Sequence, residues 1–308
     1  MQIINGISKI KKFTRPVVAL GIFDGVHLAH RKIIGDAVKR ARLIKGTSLV
    51  VTFWPHPRQA KSLYSLNHRL NLIAGLGADA AIVIRFDRKF SQLSAQDFIS
   101  KILVKKIGAK YIFVGENFRF GRYAAGGVKL LKKFSQIYSY GLKTYRIMYY
   151  RGKPVSSTFL RELIRKGNLK TAEKLLLRPV SVLGTVIHGT SLARKFGFPT
   201  ANLDPHHEVL PPAGVYLVRT ALKKKKFNAV CYIGPKPTFI QQRIETKLER
   251  DTHIEVHIFD FKGNLYGKDL ELLFFKKLRQ ARKFGNTAAL INQVKKDLKT
   301  AKTRFSHP

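Results

Sequence analysis

The chain has 308 residues, of which 45% are hydrophobic and 11% aromatic, so it can bury a core and is not intrinsically disordered. Its one cysteine, Cys231, excludes an intrachain disulfide and a cysteine-based metal cluster. The longest apolar runs are too short to span a membrane and residues 1–13 lack the apolar core of a signal peptide, so we expect a cytoplasmic protein.

The charge is strongly positive, because 58 lysine and arginine residues stand against 18 aspartate and glutamate residues and give a net charge of +40. A charge of this size favours anionic partners such as nucleic acid, an acidic membrane surface or phosphorylated small molecules. The cations are spread along the whole chain, which is also what a general lysine bias of a solvated surface would give. Nucleic-acid binding through non-specific charge therefore stays open as an alternative.

Residues 17–148 alternate short apolar runs with helical patterns. The runs that predict strands are residues 17–23, 48–53, 80–84, 111–114 and 143–148, and the patterns that predict helices are residues 31–42, 67–76 and 95–107. Alternation of this kind with short connections is typical of α/β proteins with a parallel, doubly wound sheet. Ligands of such sheets bind at the carboxyl ends of the strands.

After residue 179 the pattern changes to strands linked by tight turns, which predicts an antiparallel barrel or sandwich. The predicted strands are residues 181–187, 214–221, 227–233, 253–261 and 270–275. A terminal helix is predicted over residues 287–302, because Leu290, Val294 and Leu298 fall on one helical face. The sequence therefore predicts two domains, residues 1–178 and residues 179–308.

The first predicted strand runs into a glycine turn and a helix, residues 21–30 (GIFDGVHLAH). His27 and His30 are three residues apart at the helix start, where free N–H groups and the helix dipole favour a phosphate. Hydrogen bonds from the two imidazoles would stabilise the charge that develops on a triphosphate attacked at its α-phosphorus. The alternative is a pair of surface histidines on an amphipathic helix, which the preceding Gly-x-Phe-Asp-Gly turn disfavours.

Three further segments carry residues suited to nucleotide binding. Residues 53–57 (FWPHP) fix His56 between two prolines. Residues 114–121 (VGENFRFG) contain Asn117, which can bond a base or ribose, and Arg119, which can meet a phosphate. Residues 156–161 (SSTFLR) start a helix with hydroxyl caps one turn before Arg161, a combination that binds anions. Each segment alone is also compatible with an ordinary loop or helix cap.

In combination, the four motifs resemble the N-terminal nucleotidyltransferase domain of bacterial bifunctional riboflavin kinase/FAD synthetase. The resemblance implies a Rossmann-like domain with a parallel sheet that transfers AMP from ATP to FMN. It implies that catalysis in this domain uses His27, His30 and Arg161. The ATP-binding residues that it implies here are Gly21, Phe23, Asp24, Gly25, His27, His30, Asn117, Arg119, Ser157, Thr158 and Arg161.

The second half resembles the riboflavin kinase domain of the same family. The matching segments are residues 184–189 (GTVIHG), 194–202 (RKFGFPTAN), 211–216 (PPAGVY), 233–239 (IGPKPTF), 254–261 (IEVHIFDF) and 265–268 (LYGK). The resemblance implies that Thr200 and Asn202 bind Mg²⁺ and that Glu255 is the catalytic base for the ribityl hydroxyl. The ATP-binding residues that it implies here are Gly189, Lys195, Pro199, Thr200 and Asn202. Without the resemblance, period-2 alternation would favour the interpretation of Glu255 as a strand carboxylate that faces solvent.

The resemblance covers about residues 15–285 and implies one enzyme with two ATP-dependent activities. Riboflavin would be phosphorylated to FMN, and FMN adenylated to FAD with release of pyrophosphate, so that riboflavin, FMN and ATP are the partners, Mg²⁺ is the cofactor and no membrane is involved. The chain has Ala29, Ala193 and Leu177 where the family usually has glycine, and Tyr232 where it usually has asparagine. The alternatives are a chain that keeps one activity, with the kinase favoured because a methyl group at Ala29 crowds the phosphate, and a basic nucleic-acid-binding protein on the same scaffold.

Overall fold

The computed structural model describes residues 1–57, 62–189, 197–222, 225–235 and 252–306. The chain divides into two compact units, Met1–Leu160 and Arg161–Pro308. This division falls inside a helix, whereas the predicted domain boundary at residues 178/179 lies just before the first strand of the second unit. The predicted boundary stays a prediction.

A six-stranded parallel sheet forms the centre of the first unit. Its strands are β1 (Gln2–Asn5), β2 (Val17–Leu20), β3 (Ser48–Trp54), β4 (Ala80–Arg85), β5 (Tyr111–Gly115) and β6 (Gly141–Tyr145), in the order β1-β4-β3-β2-β5-β6. All four residues of β2 are buried, because this strand has neighbours on both sides and packed layers on both faces. An unbroken apolar run is the pattern expected for such a strand.

Helices cover both faces of this sheet. They are α1 (Leu28–Leu43), α2 (Leu66–Ala74), α3 (Arg88–Ser91), α4 (Ala95–Asp97), which continues as a π-helical stretch (Phe98–Lys106), and α5 (Val128–Tyr138). Val17 and Ala19 pack with α1 on one face, and Val18 and Leu20 pack with the π-helical stretch on the other. The predicted doubly wound α/β arrangement is therefore confirmed.

A short connection follows the sheet. It contains a two-stranded hairpin, β7 (Tyr149–Tyr150) and β8 (Lys153–Pro154), and two helices, α6 (Ser157–Arg165) and α7 (Leu169–Leu176). Helix α7 ends at Leu177, which has a φ of 55° in the left-handed region and a side chain that is 61% exposed. A left-handed residue after the last helical turn is a common helix end, and glycine is the residue that adopts it without strain.

The second unit is a closed antiparallel barrel of six strands. They are β9 (Val180–Ile187), β10 (Ala201–Asp204), β11 (Gly214–Leu222), β12 (Lys225–Pro235), β13 (Thr252–Ile258) and β14 (Asp269–Gln280), in the order β10-β13-β12-β11-β14-β9. Alternate residues of these strands, such as Ile254 and Val256 of β13, are buried in the core. Of the two predicted architectures, barrel and sandwich, the barrel is the one that forms.

The terminal helix α8 (Thr287–Ser306) packs against the outside of the barrel. Ala301 and Leu298 belong to the same apolar cluster as Val215 of the barrel. Arg279 of β14 forms a forked pair with Asp297, with Nη2 2.7 Å from Oδ2 and Nε 3.0 Å from Oδ1. A planar guanidinium fits a carboxylate in this way and fixes the helix in one orientation. Among the described residues, no helix is long and apolar enough to cross a membrane.

Several bounds differ from the sequence-based prediction, and six of the elements given above were absent from it: β1, α3, α5, β7, β8 and β10. Strand β1 is a four-residue edge strand, α5 lies in a lysine-rich stretch, and β10 overlaps the end of the segment 194–202 that resembles the kinase domain. The strand predicted at residues 143–148 lies at Gly141–Tyr145, and the one predicted at 253–261 ends at Ile258. Short or polar elements of this kind lack a strong hydrophobic period, so their pairing is decided by tertiary contacts.

Candidate active sites

The turn after β2 is held in an unusual backbone conformation. Phe23, Gly25 and Val26 have φ values of 54°, 86° and 42°, and the N–H of Val26 donates to the carbonyl of Phe23 at 3.1 Å. The φ of 86° at Gly25 favours glycine, and a Cβ atom there would also stand 2.5 Å from Cδ2 of Leu63. The turn leads directly into α1, whose N-cap is His27. Free N–H groups at a helix start are suited to phosphate binding.

The two histidines of the turn lie against each other. The ring centroids of His27 and His30 are 3.6 Å apart with an angle of 20° between planes, and Phe23 meets His30 edge-on at 5.3 Å. Burial, the charge of His27 and the charge of Arg69 hold the pKa of His30 well below its usual range. At neutral pH His30 is therefore uncharged, and a neutral imidazole donates through only one of its two nitrogens.

Two of the predicted ATP-binding side chains face the protein interior. Asp24 accepts hydrogen bonds from the N–H groups of Leu63, at 2.9 Å, and Tyr64, at 3.3 Å, and its side chain is 1% exposed. Phe23 is also 1% exposed and packs in the core with α1. In this structure both side chains hold the turn in place, which leaves their backbone atoms as the groups that line it.

The segment at the start of α6 contacts the glycine turn. The hydroxyl of Ser157 donates to the carbonyl of Asp24 at 2.7 Å, and Ser156 caps the helix by accepting from the N–H of Phe159 at 3.2 Å. Thr158 is exposed and Arg161 is half-buried, one helical turn further along α6. The first and last of the four nucleotidyltransferase motifs thus meet at Asp24.

Asn117 and Arg119 lie on the loop that follows β5, and both are exposed. In the register of the sheet, Leu20 of β2 stands opposite Val114 of β5, so the loops that begin after these residues leave the same edge of the sheet. Strand β3, the neighbour on the other side of β2, ends at Trp54 and leads to His56. The sheet therefore gathers three of the motifs at its carboxyl edge, as predicted from the alternating pattern.

In the barrel, Glu255 stands between two residues of neighbouring strands. It pairs with Asn202 of β10 on one side and with Tyr232 of β12 on the other. Because directly opposite residues in an antiparallel pair project to the same face, the three side chains share one surface of the barrel. The predicted base and the predicted metal-binding asparagine are thus side by side.

The segment before β10 is held close to this face. A Cβ atom at Gly189 would stand 2.5 Å from Cγ of Asn202, so the glycine backbone and the carboxamide are in close contact. Nδ1 of His257, two residues after Glu255 on β13, lies 2.9 Å from the carbonyl oxygen of Pro199. A carbonyl only accepts, so Nδ1 carries the proton in this bond. Pro199 is thereby tied to the strand of Glu255.

Two further predicted residues of this site precede β10 in the chain. Thr200 is half-buried immediately before β10, and Lys195 lies outside the described residues. The charge of Glu255 affects the pKa values of neighbouring residues. Burial raises the pKa of Tyr232, the charge of Glu255 raises it further, and the charge of Arg279 lowers it. For Cys231, burial raises the pKa of the thiol and Glu255 adds to the effect. A negative charge therefore stands at the Asn202 face of the barrel.

Two residues that the sequence-based prediction did not include lie in these sites. Arg69 of α2 is fully buried and donates through Nη1 to the carbonyl of Ile22, in the glycine turn, at 2.6 Å. His257 makes the contact to Pro199. The period of 2 along β13 puts His257 on the face of Glu255, so the sequence contained a signal for it. For Arg69, the pattern that could have indicated a buried charge is an arginine among the apolar residues of α2.

Comparisons with known proteins agree with these sites. Residues 9–159 match the family model of FAD synthetase, and residues 176–305 match that of riboflavin kinase. Proteins named bifunctional riboflavin kinase/FMN adenylyltransferase are similar over almost their whole length. The one from Buchnera aphidicola subsp. Schizaphis graminum is 33% identical over 99% of this chain and 99% of its own, and the one from Bacillus subtilis is 34% identical over 95% and 93%.

A relative of the same name from Escherichia coli strain K12 is 33% identical over 99% of this chain and 98% of its own. Among solved structures, one described as a macrolide-efflux protein from Streptococcus pneumoniae superposes with a TM-score of 0.80 at 28% identity, over 98% of this chain and 99% of that one. With both family models matched and relatives aligned over nearly the full length, the chain belongs to the family of bifunctional riboflavin kinase/FMN adenylyltransferases.

Proposed function

We propose that the chain phosphorylates riboflavin to FMN in its barrel and adenylates FMN to FAD, with release of pyrophosphate, at the glycine turn of its parallel sheet. Both steps use ATP as co-substrate. The observation that carries the proposal is the pairing of Glu255 with Asn202 across β13 and β10, because it sets a carboxylate beside a group suited to a metal–phosphate complex. Its counterpart in the other unit is the stacked pair of imidazoles at the start of α1.

In the adenylation, a phosphate oxygen of FMN attacks the α-phosphorus of ATP, a bond to that phosphorus forms, and pyrophosphate leaves. The turn N–H groups, His27 and His30 bind the triphosphate and stabilise the charge that develops on it. Ser157 holds the turn from behind through the carbonyl of Asp24. Arg161, Asn117 and Arg119 are proposed as further ligands of the nucleotide. The protein supplies position and charge, so a covalent intermediate is not needed.

In the kinase step, the carboxylate of Glu255 accepts the proton of the ribityl hydroxyl as that oxygen attacks the γ-phosphorus of ATP, and ADP leaves. A base for this transfer must stand within hydrogen-bond reach of the hydroxyl. Asn202, opposite Glu255, and the backbone at Gly189 would hold the nucleotide at this distance. Since β13 is bonded on both sides, Glu255 is fixed before either substrate binds.

The oxygen donors near Glu255 fit a magnesium ion. Asn202 offers an amide oxygen, Thr200 a hydroxyl and Glu255 a carboxylate, and Mg²⁺ prefers hard oxygen ligands and keeps several waters. We propose that Thr200 and Asn202 hold it together with the ATP phosphates. When bound, the ion neutralises negative charge on the phosphates that would otherwise repel the attacking oxygen. The use of ATP and Mg²⁺ supports the cytoplasmic location expected from the sequence.

Two single variants test the assignment of the two sites. His30→Ala should abolish FAD formation and leave FMN formation nearly unchanged, because the imidazole pair belongs to the first unit. Glu255→Gln should abolish FMN formation from riboflavin and leave the adenylation of supplied FMN intact. Each activity serves as the folding control for the other variant, and chromatography separates riboflavin, FMN and FAD. A variant that keeps its assigned reaction at the wild-type rate would falsify that assignment.

A wild-type chain that forms FMN from riboflavin but no FAD from FMN would favour the alternative with one activity. In that case Ala29→Gly is the next variant to measure, because it restores the backbone access that a methyl group in the first turn of α1 restricts. Recovery of FAD formation by this substitution would identify the methyl group as the cause.

A further inference from the structure

Arg69 is a buried charge that the proposed mechanism does not use. It lies on α2 among the apolar residues Leu66, Leu70 and Ile73, and its side chain is 0% exposed. Nη1 donates to the carbonyl of Ile22 at 2.6 Å, whereas Nε and Nη2 have no acceptor among the described residues. Arginine is rarely buried unless it is paired, because its N–H groups lose their water.

The guanidinium lies at the carboxyl edge of the sheet. The carbonyl of Ile22 also accepts from the hydroxyl of Thr52, near the end of β3, at 2.8 Å. The guanidinium carbon is 5.5 Å from the ring centre of Trp54, the last residue of β3. Arg69 therefore stands where β2 and β3 end, directly beneath the glycine turn.

The charge of Arg69 is retained although it is buried. Burial lowers the pKa of Arg69 to about 10 and the charge of Asp24 acts in the opposite direction, so the guanidinium is protonated at neutral pH. The oxygens of Asp24 accept from the backbone of Leu63 and Tyr64. The positive charge also reaches His30, where it is one of the causes of the lowered pKa.

A second buried nitrogen in the same region also lacks a hydrogen-bond partner among the described residues. Nδ1 of His30 is buried and has no hydrogen-bond partner in the described part of the chain. Buried polar groups are nearly always paired, so orphaned ones point to a ligand that is absent or to a functional strain. Two such groups, one of them a cation, lie next to the glycine turn and the start of α1 and indicate a site that is completed by an anion.

We propose that Arg69 is a positioning residue of the adenylyltransferase site, whose buried charge strengthens the binding of the ATP phosphates at the glycine turn. It acts through the turn, by its bond to Ile22, and through its field, which is little screened because water is excluded around it. The inference rests on the proposed adenylation and adds a residue that none of the four sequence motifs contains.

Three variants of the full-length chain separate charge from structure. Arg69→Gln removes the charge and keeps a donor, Arg69→Lys keeps the charge, and Thr52→Val removes the other hydrogen bond to the same Ile22 carbonyl. In FMN adenylation we expect Arg69→Gln to raise the KM for ATP about 10- to 100-fold, the range that a unit charge gives at about 6–12 Å with an effective dielectric constant of about 20. Arg69→Lys should stay within about 5-fold of wild type, and Thr52→Val within about 3-fold.

The opposite pattern would overturn the inference. If Arg69→Gln changes the KM no more than Thr52→Val, or if Arg69→Lys is as impaired as Arg69→Gln, the charge is not what matters. Riboflavin phosphorylation by the same preparations and their melting temperatures show whether the chain is folded. Should the wild type form no FAD, the proposed function itself fails. The inference is then decided by whether inorganic tripolyphosphate raises the melting temperature of Thr52→Val more than that of Arg69→Gln.

Discussion

Gly189→Ala is the most direct test of the proposed kinase site. A Cβ atom at this position would stand 2.5 Å from Cγ of Asn202 and nearer still to its amide nitrogen, where an ordinary contact is 3.4–4 Å. The carboxamide therefore has to retreat by about 1 Å. Because it is the end of a flexible side chain, this movement costs little stability. A misplacement of about 1 Å in a group that positions a substrate can lower the rate about 100-fold.

We therefore expect kcat/KM for riboflavin phosphorylation to fall about 100-fold in Gly189→Ala, with an unchanged melting temperature and an unchanged rate of FAD formation from supplied FMN. Gly285→Ala is the matched control, because a Cβ atom there has no neighbour within 4 Å. Initial rates of both reactions are measured by chromatography on each variant. A kinase rate near wild type in Gly189→Ala, or an equal loss of both activities, would refute the role given to Asn202.

Three further predictions concern stability and reactivity. Leu177→Gly should raise the free energy of unfolding by about 1 kcal/mol, because a leucine in the left-handed region is strained. The control is Leu43→Gly at the exposed end of α1, which should lower the free energy of unfolding by up to about 1 kcal/mol. Denaturant titration measures both changes, and changes of the same sign would contradict the explanation. Asp297→Ala should lower the free energy of unfolding by about 3 kcal/mol in the same titration, since it leaves the half-buried Arg279 without its carboxylate. A decrease of less than about 1 kcal/mol would mean that this ion pair does not hold α8 on the barrel. Cys231, fully buried and with a raised pKa, should resist a thiol reagent in the native protein and react once in denaturant; fast labelling of the native chain would show that the barrel opens.

The sequence predicted the elements that have a clear hydrophobic period. Strand β2 and five of the six strands of the barrel were predicted, because apolar or alternating runs admit few other structures. Strand β10 was not predicted, since it is four residues long and contains the polar residues Asn202 and Asp204. Its strand conformation comes from pairing with β9 and β13, which no local pattern specifies.

The candidate sites were predictable as lists of residues and less so as arrangements. The motif around His27 and His30 named both imidazoles, yet their stacking depends on how α1 leaves the turn. The side chain of Asp24, which the resemblance assigned to ATP, is bonded to the backbone of Leu63 and Tyr64. Arg69 comes from a helix about 40 residues further along the chain, and such long-range contacts leave little trace in a single sequence.

The pairing of β13 on both sides has a consequence for how the enzyme can adapt. A strand that is hydrogen-bonded to two neighbours cannot slide or tilt to accommodate a different substrate, so the backbone position of Glu255 stays the same. The connection that follows β13, residues 259–268, contains Gly263 and Gly267 and can change length or composition without disturbing the register. If the enzyme were selected for another alcohol as phosphate acceptor, we would therefore expect substitutions in such a connection first, with the position of the Glu255 carboxylate unchanged.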